Sequence, residues 1–233
     1  MAINYLEKTS QLNQLPAIII YPQSLPGERG VLSWQGAPYS PKKVDDIGFI
    51  NDIIDTVTKS PCVDRKRVYS IGVSNGGGMS WLLSCNLSHK IAAFAMVAGA
   101  YYAPEVACKP KRPAAILSIH GELDKVVPIN GSIKKKLPPI DMWIERRAKL
   151  NKCLKSSKIT SEISSGATMT EWTSCKNNAT VQSIRLNRAG HSWPKSIKVF
   201  FQDTDPIYYR QTPIQMNIST AEFIYESLQE HHL

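Results

Sequence analysis

Short apolar segments alternate with amphipathic segments along most of this chain, and this alternation constrains the fold more than any other feature. Strands are predicted at residues 17–21, 67–71, 93–97, 114–119, 169–172 and 181–186. Helices are predicted at residues 41–58 with Ser40 as the N-cap, at 75–86, at 140–150, and after a capping box that runs from Ser219 to Glu222. Continuous rather than alternating apolar strands are typical of a parallel sheet that helices cover on both faces. The expected fold class is therefore α/β, with a mostly parallel central sheet.

The length and composition predict one globular domain over residues 1–233. The chain is 42% hydrophobic and 20% charged, which excludes disordered and fibrous classes. The longest nearly apolar run, residues 91–103, is shorter than the roughly 20 residues that cross a bilayer, so no membrane span is expected. The first residues also lack the basic start and apolar core of a secretory signal.

The net charge of +9 is concentrated in one part of the chain. Residues 109–158 hold 13 of the 28 Lys and Arg residues but only four of the 19 acidic ones. This stretch lacks interleaved aromatic residues and any RNA-module signature, so nucleic acid is not an expected partner. We interpret it as a solvated basic face.

The five cysteines do not form a metal-binding pattern. No C-x-x-C pair is present, and no histidine stands at zinc-ligand spacing, so no metal site is predicted. An odd number leaves at least one thiol free or intermolecular. The count fits an exported enzyme with one or two disulfides, and it also fits buried thiols in a cytosolic protein.

A predicted strand runs directly into the motif G-x-S-x-G, and a predicted helix follows. A serine hydroxyl becomes a nucleophile when it is held on a sharp turn beside a base, and the small residues Gly72 and Gly76 flanking Ser74 permit that turn. The backbone N–H of Asn75, at the helix start, is the expected oxyanion donor. The strand and helix around the motif favour Ser74 as a nucleophile over an ordinary turn serine.

A general base and an acid complete such a site. His191 is the favoured base because it follows the last sheet strand in the rigid loop Gly190-His191-Ser192-Trp193-Pro194. The competing histidines are His89, His120, His231 and His232.

Asp124 is the favoured acid, because it follows a strand and the order Ser, acid, His is that of this class. Glu122 is a nearby rival, whereas Asp203 and Asp205 come after the base. The alternative role for Asp124 is the capping of a turn.

Taken together, the motifs resemble one family. They are Tyr21-Pro22-Gln23, residues 45–49, 64–69 and 97–99, His120-Gly121 through Pro128, and Gly190 to Pro194. The chain is similar over nearly its whole length to esterases of the polyhydroxybutyrate depolymerase and feruloyl or acetylxylan esterase type. The resemblance implies an α/β-hydrolase fold and a Ser74, Asp124, His191 triad. It also implies a Cys153–Cys175 disulfide, with Cys85 and Cys108 as a further candidate pair that would leave Cys62 free.

The sequence differs from this family at the N-terminus. Relatives carry, before the strand that matches residues 17–21, another strand ending in a His-Gly element that supplies the second oxyanion donor, and usually an export signal. The expectation is therefore an α/β-hydrolase that lacks its N-terminal strands. The resemblance implies a secreted or periplasmic location, and a start at Met1 would imply a cytoplasmic one.

The predicted function is that of a monomeric serine esterase that needs no cofactor. The expected substrates are small or polymeric esters: hydroxyalkanoates, or feruloyl and acetyl esters of polysaccharide. Trp193 and Trp34 are candidates for the substrate site, and simple packing is the alternative for both. The rival functions are a non-catalytic remnant of the fold and a serine peptidase.

Overall fold

The computed structural model describes residues 10–102, 108–201 and 214–233. The helices are α1 (Asp46–Val57), α2 (Asn75–Asn86), α3 (Ile140–Leu150) and α4 (Thr220–Gln229). The strands are β1 (Tyr69–Val73), β2 (Ala93–Val97), β3 (Ala115–Gly121), β4 (Lys158–Ser164), β5 (Ala167–Trp172), β6 (Val181–Leu186), β7 (Ser196–Phe201) and β8 (Ile214–Ser219).

Six strands form one mixed sheet in the order β1-β2-β3-β6-β5-β4. The pairs β1–β2, β2–β3 and β3–β6 are parallel, whereas β5 and β4 are added antiparallel. Strands β7 and β8 pair antiparallel in a separate two-stranded sheet. The parallel part places the carboxyl ends of β1, β3 and β6 along one edge of the sheet.

The sheet separates two apolar clusters. Because side chains alternate along a strand, Phe94 and Met96 of β2 face one cluster and Ala95 and Val97 face the other. Residues of α1, α2 and α3 pack in the first cluster, and residues of α4 pack in the second. The expectation of a mostly parallel sheet with helices on both faces is confirmed.

The prediction of a buried strand at residues 17–21 is wrong. This segment is not part of either sheet, and Ile18 and Ile20 are 64% and 45% exposed. Ile19 and Tyr21 still pack against the cluster on the α4 side. A strand needs a partner for its backbone groups, and within the described residues β1 pairs with β2 alone. The apolar run therefore lies outside the sheet, and only Ile19 and Tyr21 are partly buried.

Several predicted boundaries also shift, that of α1 most of all. Helix α1 begins at Asp46 and not at residue 41, because the side chain of Asp45 caps it by accepting a hydrogen bond from the Gly48 N–H at 2.8 Å. Lys43 has a φ of 61°, which helical backbone does not adopt. Strand β1 lies two residues later than predicted and runs directly into Ser74.

Four of the five cysteines form disulfides. Cys85 is bonded to Cys108 and Cys153 to Cys175, while Cys62 is free and exposed. The alternative of buried thiols is therefore excluded for these four residues. No helix in the described part of the chain is long and apolar enough to cross a membrane.

Candidate active site

Ser74 occupies the sharp turn between β1 and α2. Its backbone has φ 53° and ψ −119°, a conformation that L-residues rarely adopt. The Ser74 N–H donates to the Val97 carbonyl at 3.0 Å, and the Ser74 carbonyl accepts from the N–H groups of Gly78 and Ala100 at 3.0 and 2.9 Å. These bonds to two neighbouring elements hold the strained turn in place.

The two glycines that flank Ser74 have different roles. A Cβ at Gly72 would lie 2.0 Å from the Gly76 carbonyl oxygen, so only glycine fits where α2 folds back onto β1. A Cβ at Gly76 would meet nothing within 4 Å. Gly77 does need to be small, since its Cβ would lie 2.8 Å from the Gly99 Cα. The expectation that both flanking glycines permit the turn therefore holds sterically only for Gly72.

Asp124 is buried in the turn after β3, with 4% of its surface exposed. Its Oδ1 accepts hydrogen bonds from the backbone N–H groups of Val126 and Val127, both at 2.8 Å. Asp124 therefore caps the turn through Oδ1 and can contact His191 through Oδ2 at the same time. The backbone of its own loop thus sets the orientation of this carboxylate.

His191 joins the other two side chains. Its Nδ1 lies 2.8 Å from the Oδ2 of Asp124, and its Nε2 lies 2.9 Å from the Oγ of Ser74. Because Nδ1 faces a carboxylate, we assign the proton of the neutral ring to Nδ1, which leaves Nε2 to accept from the serine hydroxyl. The structure thus brings together the serine, acid and histidine that the sequence singled out, from the carboxyl ends of β1, β3 and β6.

Close backbone contact fixes the loop that carries His191 relative to the turn that carries Asp124. A Cβ at Gly121, the last residue of β3, would lie 2.2 Å from the Ala189 carbonyl oxygen. The Leu123 N–H donates to that same carbonyl at 3.0 Å. The loop that carries His191 therefore crosses directly over the turn that carries Asp124.

His120 is a buried neighbour that the sequence presented only as a rival base. Its Nε2 donates to the Val127 carbonyl at 2.9 Å and lies 3.4 Å from the Oδ2 of Asp124. Burial lowers the pKa of His120 below its ordinary value, so the ring is neutral near pH 7. The i, i+4 spacing of His120 and Asp124 across a strand end is the sequence signal that could have indicated this contact.

The other candidate residues lie around this centre. The backbone N–H of Asn75 belongs to the first turn of α2, where such groups have no acceptor within the helix. The Asn75 side chain accepts from the Trp34 N–H at 2.7 Å and so holds that loop. Trp193 is 6% exposed and packs in the cluster that contains α4. Glu122, the rival acid, forms an ion pair with Arg185 at 3.9 Å.

A cavity of about 420 Å³ opens beside the serine. It is lined by Pro38, Tyr39, Ser74, Ala100, Tyr102, Val126, Val127, Lys134, Lys135, Lys136 and Leu137. Neither Trp34 nor Trp193 lines it, and both pack against the apolar clusters, Trp34 partly buried and Trp193 buried. Within the described residues no group of His, Cys, Asp and Glu side chains could hold a metal ion.

A parallel sheet with helices on both faces, a strand–serine–helix turn, and an acid and a histidine on the following strand ends together define an α/β-hydrolase fold. Comparison with known proteins agrees with this class. The chain belongs to the Phospholipase/Carboxylesterase family, which it matches over residues 42–174.

Several known proteins are similar to the chain. It is 32% identical over 187 residues to feruloyl esterase B of Piromyces equi, which covers 76% of this chain and 34% of that protein. It is 28% identical over 182 residues to the bifunctional acetylxylan esterase/xylanase XynS20E of Neocallimastix patriciarum, covering 75% of this chain and 24% of that one. The chain thus spans about a third or less of these relatives.

One solved structure supports the fold. A variant of SOBER1 from Arabidopsis thaliana superimposes with a TM-score of 0.51 at 14% identity, over 96% of this chain and 88% of that one.

Proposed function

We propose that this chain is a serine carboxylesterase in which Ser74 is the nucleophile, His191 the general base and Asp124 the residue that orients His191. The observation that carries the proposal is the chain of two hydrogen bonds, 2.9 and 2.8 Å long, from the serine hydroxyl through the imidazole to the buried carboxylate. Family membership and the esterase names of its relatives support the same activity.

The acylation step follows from the positions of these atoms. The Oγ of Ser74 attacks the ester carbonyl carbon while Nε2 of His191 takes the hydroxyl proton. The imidazolium that forms lies against the carboxylate of Asp124, which stabilises the positive charge. The protonated Nε2 then donates to the departing alkoxide, so the alcohol leaves neutral and the acyl group stays on Ser74.

Deacylation repeats the sequence with water. His191 takes a proton from a water molecule, the hydroxide attacks the acyl carbon, and Ser74 leaves as its alcohol when His191 returns the proton. In both steps the negative charge on the carbonyl oxygen develops near the start of α2, where the Asn75 N–H is the proposed oxyanion donor. No cofactor enters these steps.

We propose acetyl or feruloyl esters of polysaccharide as the substrate class, because the relatives carry the names feruloyl esterase and acetylxylan esterase. The hydroxyalkanoate esters that the sequence resemblance implied remain a prediction. We further propose that residues 1–233 act as one domain and as a monomer. A secreted or periplasmic location is proposed because two disulfides are typical of oxidising compartments.

Hydrolysis of p-nitrophenyl acetate and butyrate by the purified chain tests the activity. We expect Ser74→Ala to abolish it, whereas Ser156→Ala, at an exposed serine outside the cavity, leaves it unchanged. A fluorophosphonate reagent should add one adduct mass to the wild type and to Ser156→Ala but none to Ser74→Ala. Equal inactivity and equal lack of labelling in all three proteins would favour the non-catalytic alternative. Faster turnover of peptides than of esters would favour the peptidase alternative.

A further inference from the structure

Three consecutive lysines, residues 134–136, line the cavity that opens beside the proposed nucleophile. They belong to a tight turn, residues 132–137, which we call the lysine hairpin. Ser132 and Leu137 close it by exchanging both backbone hydrogen bonds, at 2.6 and 2.9 Å. Leu137 is buried and anchors the hairpin to the apolar cluster that contains α2 and α3. The hairpin therefore holds its lysines at fixed backbone positions on the rim of the cavity.

The three lysines are not equivalent. Lys135 donates through Nζ to the carbonyls of Lys125 and Val126, both at 2.9 Å, so its side chain is used to hold the loop that follows Asp124. Lys134 and Lys136 are exposed, and within residues 10–102, 108–201 and 214–233 neither forms an ion pair. These two lysines thus line the cavity without a protein counter-charge in the described part of the chain.

Two tyrosine hydroxyls also line the cavity. Tyr102 donates its hydroxyl proton to the Tyr39 oxygen at 3.3 Å, and the two rings meet edge to face at 5.9 Å. Burial raises the pKa of Tyr102 above its usual range, so the phenol stays protonated. Tyr39 accepts this bond and still has its own proton to donate. Among the described lining residues no side chain carries negative charge.

We propose that this cavity selects esters that carry a carboxylate near the scissile bond, and that Lys134 and Lys136 bind that carboxylate. The inference rests on the proposed function, and it adds a substrate class: the ester of an acidic alcohol unit, such as an acylated uronic acid, or the half-ester of a dicarboxylic acid. Each exposed lysine–carboxylate pair contributes about two- to fivefold to affinity at low ionic strength, so two pairs contribute about tenfold.

Matched pairs of substrates, one with a carboxylate and one with a neutral amide, measure the effect of the substrate's charge. Para-acetoxybenzoate and para-acetoxybenzamide place a carboxylate or a neutral amide on the alcohol side, and the p-nitrophenyl half-ester of adipic acid and its amide do so on the acyl side. We expect kcat/KM to favour the carboxylate about tenfold in at least one pair, and the preference to fall as NaCl screens the charges. The pair that shows the preference identifies which of the two substrate types the cavity takes.

Charge variants then assign the preference to the lysines. In Lys134→Gln/Lys136→Gln the ratio of kcat/KM for the carboxylate substrate to that for the neutral amide should fall to near onefold. Lys155→Gln/Lys176→Gln removes the same charge from exposed positions outside the cavity and should keep the preference. No preference in either substrate pair, or an equal loss in both double variants, would overturn the proposal.

Binding measurements separate this proposal from the proposed function. Calorimetry of Ser74→Ala with para-hydroxybenzoate and para-hydroxybenzamide needs no turnover. Tighter binding of the benzoate that is lost in the Lys134→Gln/Lys136→Gln background would support the anion site even in a chain that hydrolyses no ester. Equal binding of both compounds, together with no preference in the kinetic assays, would reject the site while leaving any Ser74-dependent hydrolysis of neutral esters intact.

Discussion

The two glycines of the serine motif provide a sharp test of how the turn is built. A Cβ at Gly72 would stand 2.0 Å from a backbone oxygen of Gly76, where ordinary contact needs roughly 3.5 Å. The strand and the helix would have to separate by more than about 1 Å, because the opposing atom is backbone and cannot rotate away. A Cβ at Gly76 would meet nothing within 4 Å. We therefore expect alanine to lower stability and activity at Gly72 but not at Gly76.

We expect Gly72→Ala to destabilise the protein by about 3 kcal/mol, the upper part of the usual range for overpacking. A displacement of about 1 Å at the nucleophile should also lower kcat/KM about 100-fold. Gly76 lies inside α2 with helical backbone, where alanine is up to about 1 kcal/mol better than glycine. Gly76→Ala should thus be as stable as the wild type or more stable, with activity retained.

Urea unfolding and hydrolysis of p-nitrophenyl butyrate measure both quantities on the same preparations. Gly77→Ala should fall between the other two variants, since its Cβ would be 2.8 Å from the Gly99 Cα. The expected order of destabilisation is Gly72, then Gly77, then Gly76. A Gly76→Ala variant as damaged as Gly72→Ala, or a Gly72→Ala variant of wild-type stability, would refute the steric explanation.

Three further changes test the surroundings of the site. Asp124→Asn should lower kcat by about 1000-fold or more, because the amide N–H₂ would oppose the Nδ1 proton of His191 and favour the wrong tautomer. A steady-state kcat within about tenfold of the wild type would contradict this. Folding lowers the pKa of His120, so at acidic pH the unfolded chain binds a proton that the native state does not bind. The free energy of unfolding should therefore fall as the pH drops below about 6.5. In His120→Gln the urea midpoint should depend less on pH between about 7 and 5 than it does in the wild type. Replacing Cys153 and Cys175 with serine should cost about 3 kcal/mol, because the disulfide closes a loop with a sequence separation of 22; an unchanged urea midpoint would exclude this contribution.

The elements that could be predicted are those whose signals are local. Strand β2, helix α3 and strand β6 have the predicted bounds, because an apolar run or a helical period determines each. The edge strand β4 was not predicted, since most of its residues are exposed and polar. Strands β7 and β8 were also missed. The strand predicted at residues 17–21 is wrong for the opposite reason. Its apolar composition favours a strand, but a strand in a sheet also needs a neighbouring strand to pair with, and composition does not reveal whether one is present.

The features of the candidate site also differ in how far the sequence alone could predict them. Ser74 could be singled out from its neighbours along the chain, because the strand–turn–helix pattern is continuous there. The juxtaposition of Asp124 and His191 required the further rule that parallel strands bring their carboxyl ends to one edge. The unequal roles of Gly72 and Gly76 could not be predicted, because they depend on how closely α2 approaches β1 after folding.

The lysine hairpin and His120 went unpredicted because their important contacts are made to backbone carbonyls. Lys135 binds the carbonyls of residues 125 and 126, and His120 binds the carbonyl of Val127. The N–H groups of residues 126 and 127 meanwhile donate to Asp124. One short loop therefore connects the acid, the buried histidine and the rim of the cavity. Every residue has a backbone carbonyl, so the sequence does not indicate which carbonyl a distant side chain will bind. Only the folded path of residues 124–127 shows that the lysine hairpin and Asp124 are held by the same loop.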